Sequence, residues 1–497
     1  MLIDSPNVRR LRPWWSLCAA TLLLAGLAGG YFLPLGSPTA DAPDAALGIA
    51  SNGDSTGDAI VQSTKPPRAG QTPATREFAL SDADVRDMQE APTLAIDARG
   101  RVCLAWASKT SDLERTLFVA VSSVGSGFSG PREVRKSGIF KSQSKGKSGG
   151  FERRMVPLVA AFGDTMLLAW NEAPPDGATI RMMLASTHDG GQTFSEPVCV
   201  HQSDAARPTF SSLAVNAHGR AVCAWLDSRH GPQQVFAAVR AATDEAFAAE
   251  AEFYGGERAA GVCPCCPTAA AVSEKGETFV AFRNDLDGYR DIWLTKMTGR
   301  EAALSETFPV TAPRWQFDGC PHDGPSLAIL NGQVHVVWMD AHSGTERVYY
   351  GRAPLDTLQF EVEPLHSVGP GTQGNAKLCA DQNGRLHAVW EESLADEPAA
   401  SAAGATGRHG IHQHGPPTGT GRVIMHAVAT HADGRFSAAV AIAPRPKRFQ
   451  TRPAIACGEA GMVVAWNELD ESGKRVVVTR IADFPTSQHV SKAEVGR

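Results

Sequence analysis

The sequence predicts an all-β protein of the propeller class, and three observations lead there. One pattern recurs seven times: a short apolar run, usually opened by proline, then a glycine-containing turn, then alternating apolar residues ending in an aromatic. Its clearest copy is PSLAILNGQVHVVW, Pro325 to Trp338, and the others end at Trp106, Trp170, Trp225, Phe282, Trp390 and Trp466. The alternation has the period of two that belongs to strands, so each copy reads as two short strands around a tight turn and not as a helix. The aromatics are spaced by 64, 55, 57, 56, 52 and 76 residues, which suits one multi-stranded blade per copy. Seven copies predict seven blades, and six is the alternative if one copy is a peripheral hairpin.

Composition sets the class. With 43% hydrophobic residues, 20% charged and a net charge of -6 over 497 residues, the chain is globular, and nothing in its charge favours nucleic acid. One propeller absorbs about 400 residues, so a single large domain is expected over 76–485.

The N-terminus differs. Arg9, Arg10 and Arg12 precede a nearly uncharged stretch from Trp14 to Leu35, long enough to span a bilayer. Residues 1–35 are therefore expected to be a membrane-spanning or signal helix. Gly26 and Ala28 suit a signal peptidase, whereas Trp14, Trp15, Tyr31 and Phe32 at the two ends suit a retained anchor. Residues 36–75, rich in Ser, Pro, Ala, Gly and Asp, read as a disordered linker, and 486–497 as a flexible tail. The propeller is then expected on the extracytoplasmic side, periplasmic or at the cell surface, tethered to the membrane.

The blades follow in order. Blade one spans about 91–134, and a basic Ser/Gly-rich insertion, 135–154, reads as a solvated loop. Blade two spans Pro157 to His201. Blades three to five cover Pro208 to Tyr254, Pro267 to Thr311 and Pro325 to Ser367. Blade six begins near Ala376 and carries an insertion from Asp396 to Gly421. The seventh starts at Pro453 and runs out after Val476 to Ala482, so Arg76 to Leu80 is expected to supply its fourth strand and leave no open edge.

Blade two contains Thr187-His188-Asp189-Gly190-Gly191-Gln192-Thr193-Phe194. Asp189 is suited to accept backbone N–H groups across the turn, and the glycines permit positive φ. Shorter versions occur at Thr430 to Ser437 and Ser126 to Ser129. This motif resembles the Asp-box of sialidases and related propellers, and the resemblance covers nearly the whole chain after residue 76. It implies a hairpin between a blade's third and fourth strands, and an active face on the opposite side, where strand two-to-three loops and blade-to-blade connections lie.

A sialidase-like protein would use that face to bind a glycan through arginines and carboxylates. Arg207, Arg283, Arg290, Arg452 and Asp340 are the ligand-binding candidates, with Arg154 also near a first strand. A hydrolase would draw on Asp285, Tyr289 and Glu391, and a glycosidase would pair carboxylates such as Asp285 with Glu391 or Asp340. The post-aromatic acids Glu172, Asp227, Glu392 and Glu468 fall on the same face. The Arg-Ile-Pro motif of sialidases does not occur, so binding of a glycan or a protein partner is expected ahead of hydrolysis.

CPCC and GCPH are the other candidates for chemistry. Cys263, Cys265 and Cys266 precede the first strand of blade four, and Cys320 and His322 that of blade five, so the five are expected to meet. They would form a disulfide, as with Cys320 to Cys263 or Cys266, or hold copper or zinc, or simply pack. His409, His412 and His414 offer further ligands. Cys103, Cys223, Cys379 and Cys457 read as small core residues.

Overall fold

The computed structural model describes residues 76–80, 92–123, 127–142, 151–152, 155–175, 179–244, 246–254, 261–299, 305–311, 314–366, 371–393, 421–430, 435–444, 448–458, 461–470 and 473–481. All lie within one compact unit, Arg68–Arg497. The expected N-terminal helix, linker and tail, the histidine-rich loop and Arg154 lie outside the described residues. Among those described, no helix is long and apolar enough to cross a membrane.

The described residues are all-β, and their strands form antiparallel meanders of four. Sheet one is Thr93–Ile96, Val102–Lys109, Glu114–Ser122 and Arg132–Gly138; sheet two is Leu158–Phe162, Thr165–Glu172, Arg181–Thr187 and Val198–Cys199. Sheet three is Pro208–Val215, Ala221–Asp227, Gln234–Arg240 and Ala251–Tyr254. Sheet four is Ala269–Val272, Thr278–Arg283, Ile292–Met297 and Ser305–Pro309, and sheet five is Ser326–Leu330, Gln333–Asp340, Arg347–Pro354 and Glu361–Pro364. Sheet six is Gln373–Ala380, Leu386–Ser393, Arg422–Ala429 and Val440–Ala441. Sheet seven is Phe449–Gly458, Gly461–Asp470 and Gly473–Ile481, completed by Arg76–Leu80. A single parallel pairing, Arg422 with Phe449, joins sheets six and seven.

Each first strand packs against the first strands of the sheets on either side, and the series closes from sheet seven back to sheet one. This is the arrangement of a β-propeller. The recurring aromatics explain why the sheets stack. Trp106 packs against Val463 and Ala465 of sheet seven, Trp225 against Leu167 and Ala169 of sheet two, and Trp390 against Val337 and Tyr350 of sheet five. All seven aromatics are buried, so each interface gains several kcal/mol, and truncating one to alanine would cost about 3–5 kcal/mol.

Closure depends on the N-terminal strand. Arg76 pairs with Arg480 and Leu80 with Val476, so the first and last described strands share one sheet. A covalent link joins sheets six and seven. Cys379 and Cys457 are not separate core residues, as expected, but form a disulfide between the first strands of sheets six and seven, with Cα atoms 5.9 Å apart. Both lie beyond the bulge of their strand, and the two strands are packed side by side, which brings their Cα atoms within bridging distance.

The basic insertion also departs from a plain loop. The fourth strand of sheet one runs on to Gly138, because Gly138 N–H donates to Ala173 O at 2.8 Å and Ser137 Oγ accepts from Ala173 N–H at 2.9 Å. Lys141–Ser142 then pairs with Phe151–Glu152.

The Thr187 to Phe194 turn connects the third and fourth strands of sheet two. Asp189 Oδ1 accepts from Thr187 Oγ1 and from the N–H groups of Gln192 and Thr193 at 2.8–2.9 Å, and Oδ2 from Thr193 Oγ1 at 2.6 Å. Burial opposes the charge there, yet these bonds hold the carboxyl well below its usual range. Because strands alternate in direction, this turn lies on the face opposite the sheet-to-sheet connections.

Candidate metal centre

Two of those connections build the site. The first runs from Tyr254 to Ala269 and carries Cys263, Cys265 and Cys266. The second runs from Pro309 to Ser326 and carries Cys320 and His322. Backbone bonds fix the first: Val262 N–H donates to Gln233 O at 2.9 Å, Cys263 N–H to Arg283 O at 3.1 Å, and Thr268 N–H to Phe210 O at 3.0 Å. The second is held by Asp291, whose Oδ1 accepts from Trp315 N–H at 3.0 Å, and by Arg290 N–H donating to Trp315 O at 2.8 Å.

Arg283 ties the two together. Its guanidinium is buried and donates to Asp323 O at 3.0 and 3.1 Å, to Met339 O at 2.6 Å and to Arg290 O at 2.7 Å. Gly324 permits close docking: a Cβ there would lie 2.2 Å from Pro267 O, the carbonyl just after Cys266.

The thiols converge as expected. Cys263 Sγ lies 3.6 Å from Cys265 Sγ and 3.5 Å from Cys266 Sγ, and the last two are 4.0 Å apart. Cys265, Cys320 and His322 form a second group, and within each group the donor atoms lie within 4.8 Å of one another. All four cysteines carry free thiols. Cys263, Cys265 and Cys266 are buried, with Phe210 packed on them, whereas Cys320 is half-buried and His322 exposed.

Such spacing suits a metal. A disulfide needs about 2.05 Å, while four sulfurs bound at about 2.3 Å around one ion would be spaced by roughly 3.8 Å. The electrostatics favour one shared charge among the thiols. Hydrogen bonds from Cys265, Cys266 and Cys320 hold Cys263 well below the usual thiol range, with Arg283 assisting against burial. Cys265 is pushed up by its bonding to Cys263, Cys266 by burial, and Cys320 by its bond to Cys263, to about 11.

The arginine and carboxylate candidates are placed differently. Arg290 lies beside the thiols, forms an ion pair with Asp285, and donates to Phe317 O at 3.2 Å. Tyr289, in the same hairpin, stacks under Arg314 with the guanidinium carbon 3.7 Å from the ring centroid. Glu391 does not join Asp285 and Tyr289. It is buried in sheet six, two sheets away, accepting from Asn375 Nδ2 at 2.9 Å, Arg422 Nη1 at 2.9 Å and Arg452 N–H at 2.8 Å. Arg207 folds back onto Ala206 O at 2.7 Å and Asp204 O at 3.2 Å.

Asp340 is buried, accepting from Trp338 Nε1 at 3.0 Å and from His342. The repeat explains why: the acid two residues after the tryptophan takes the indole N–H. Glu172, Asp227 and Glu392 do the same for Trp170, Trp225 and Trp390, at 2.9–3.1 Å. Asp227, Asp340 and Glu392 are satisfied within their own sheets, and Glu172 also pairs with Arg135 of sheet one.

A polar group that the sequence reading missed adjoins the thiols. Asp323 Oδ2 accepts from Asn375 N–H at 2.6 Å, and its buried Oδ1 has no partner among the described residues. Burial pushes this carboxyl up and the half-buried Lys377 ammonium down. Asn375 and Arg452 hold positive φ at matching bulges, and Phe210 occupies a third such bulge. A signal existed: Ala376 and Lys377 stand where Pro92 and Thr93, Pro325 and Ser326, or Pro453 and Ala454 stand in other copies.

No family model matches the chain, and no curated protein matches its sequence. Among solved structures, it is similar to a Dyadobacter fermentans protein of unknown function, at 13% identity and TM-score 0.42, over 82% of this chain and 100% of that one. It is also similar to the β-propeller domain of the Trilobed protease from Pyrococcus furiosus, at 9% and 0.44, over 80% and 97%. The Trypanosoma rangeli sialidase is similar at 11% and 0.41, with this chain covering 57% of its length.

Proposed function

We propose that this chain is a seven-bladed, metal-binding propeller whose Cys263, Cys265, Cys266 and Cys320 take a soft ion, copper or zinc, with His322 at the rim. The carrying observation is the convergence of four free thiols and one imidazole from two separately anchored loops. Thiolate-rich sets select copper(I) and zinc over harder ions. Seven copies of the repeat and the closed series of first strands support the blade number. The N-terminal basic and apolar run supports a tether that holds the domain outside the cytoplasm. The Cys379–Cys457 disulfide agrees with that compartment, and a bound ion would keep the neighbouring thiols from oxidising there.

Elemental analysis of the full chain, purified anaerobically, tests this reading. Copper or zinc should be retained at one equivalent or more, and reduced in Cys263→Ser and Cys265→Ser proteins whose circular dichroism is unchanged. Failure to bind either ion after reduction and reconstitution would sink it.

A second reading has its own observation. Asp323 Oδ1 lacks a partner among the described residues, within a network of Asn375, Glu391 and Arg452 that the Lys377 charge adjoins, and this suits a polar ligand such as a glycan. Glycan-array binding that is lost in Lys377→Met and Asp323→Asn would support it. Turnover of an aryl sialoside would move the assignment to a glycoside hydrolase.

A further inference from the structure

We infer that the thiol cluster holds two copper(I) ions bridged by the sulfur of Cys265. This rests on the metal-binding reading above and deepens it. The five donors do not all fall in one mutually close set, although Cys320 also bonds Cys263. They divide into Cys263, Cys265 and Cys266, and Cys265, Cys320 and His322, each mutually within 4.8 Å, and Cys265 belongs to both. A thiolate sulfur has lone pairs enough to bind two ions at once, so the shared residue is a bridge between two three-donor sites.

Ligand number then separates the ions. Structural zinc is almost always four-coordinate and tetrahedral, so a single zinc would use four of these donors and strand the fifth. Copper(I) favours soft thiolates, and its filled d shell accepts three-coordinate sites. Three sulfurs at about 2.3 Å around one ion would be spaced by roughly 4.0 Å. The inner three are spaced by 3.5, 3.6 and 4.0 Å.

Charge agrees. Four thiolates with two monovalent ions keep two surplus negative charges, and the Arg283 and Arg290 guanidiniums stand beside them. The two sites also differ in access. Inner donors are buried, while Cys320 is half-buried and His322 exposed, so the outer ion exchanges first and the inner one is retained.

The test is an anaerobic titration of the reduced full chain with copper(I) against a chromogenic copper(I) chelator, followed by X-ray absorption. Two equivalents per chain are expected, with a sulfur-dominated shell and a short copper–copper vector. His322→Ala and Cys320→Ser should each lower the stoichiometry from two to one and abolish that vector. Cys265→Ser should abolish the vector as well. A wild-type stoichiometry of one, two ions without copper–copper scattering, or two ions still held by both outer variants would overturn the bridged pair while leaving a metal site standing. No copper or zinc bound at all would overturn both readings.

Discussion

The guanidinium of Arg283 donates through Nε and Nη2 to a single backbone oxygen, that of Asp323, at 3.1 and 3.0 Å. One side chain of sheet four thereby positions the loop that carries Cys320 and His322. Each other bond of the guanidinium also ends on a backbone carbonyl, so the residue acts as a brace and not as a ligand clamp.

Arg283→Met should therefore weaken metal retention about 10- to 100-fold, the usual effect of losing a residue that orients metal ligands. It should also lower stability by roughly 3 kcal/mol, because buried carbonyls lose their donor. The rate of transfer to a chelator, measured with urea melts, checks both. Unchanged transfer would show that the loop is held by other means.

Gly324→Ala places a methyl group against Pro267 O and should push the two cysteine loops apart. A loss of about 1–3 kcal/mol is expected for such overpacking, with reduced metal stoichiometry. Gly130→Ala, where a Cβ would meet nothing within 4 Å, is the control and should leave both unchanged.

The Cys379–Cys457 bridge closes a sequence separation of 78 residues beside the seam between sheets six and seven. On the chain-entropy account it contributes about 4 kcal/mol. Reductant should lower the melting temperature of wild type, and Cys379→Ser/Cys457→Ser should melt at that lower value with no response to reductant. Equal melting of oxidised and reduced wild type would argue against a stabilising bridge.

Acid should destabilise the propeller partly through buried histidines. Burial pushes His335, which bonds Tyr350 Oη at 2.7 Å, down to about 4, and His426 down to about 3. An unfolded imidazole takes up its proton near 6.5. Between pH 6.5 and 4 the unfolded state thus binds more protons, so stability falls as pH falls, and the full contribution is present only above 6.5. His335→Gln should reduce the stability difference between pH 7.5 and 4.5 by on the order of 2 kcal/mol. Urea melts at the two pH values measure it, and an unaltered difference would assign the acid sensitivity elsewhere.

The candidate site was only partly legible. CPCC and GCPH stood out because cysteine and histidine are rare and their position before first strands follows from blade order. Asp340 and Glu391 were misleading for one reason: an acid at the end of an inner strand has the same residue type whether it faces a ligand or caps a tryptophan or an arginine. Asp323 and Lys377 drew no notice because their burial beside one another is a property of packing.

Strand alternation, the recurring aromatic, the glycine turns and the closing role of Arg76 to Leu80 were determined by the sequence alone, since they depend on neighbours in the chain and on apolar burial. Which thiols are bridged and which lie free together was decided only in three dimensions. Cys379 and Cys457 pair across a seam between sheets, and Cys263 and Cys320 meet because Arg283 and Gly324 dock two loops. Such distances arise from how the sheets are stacked around the ring, and no local pattern encodes them.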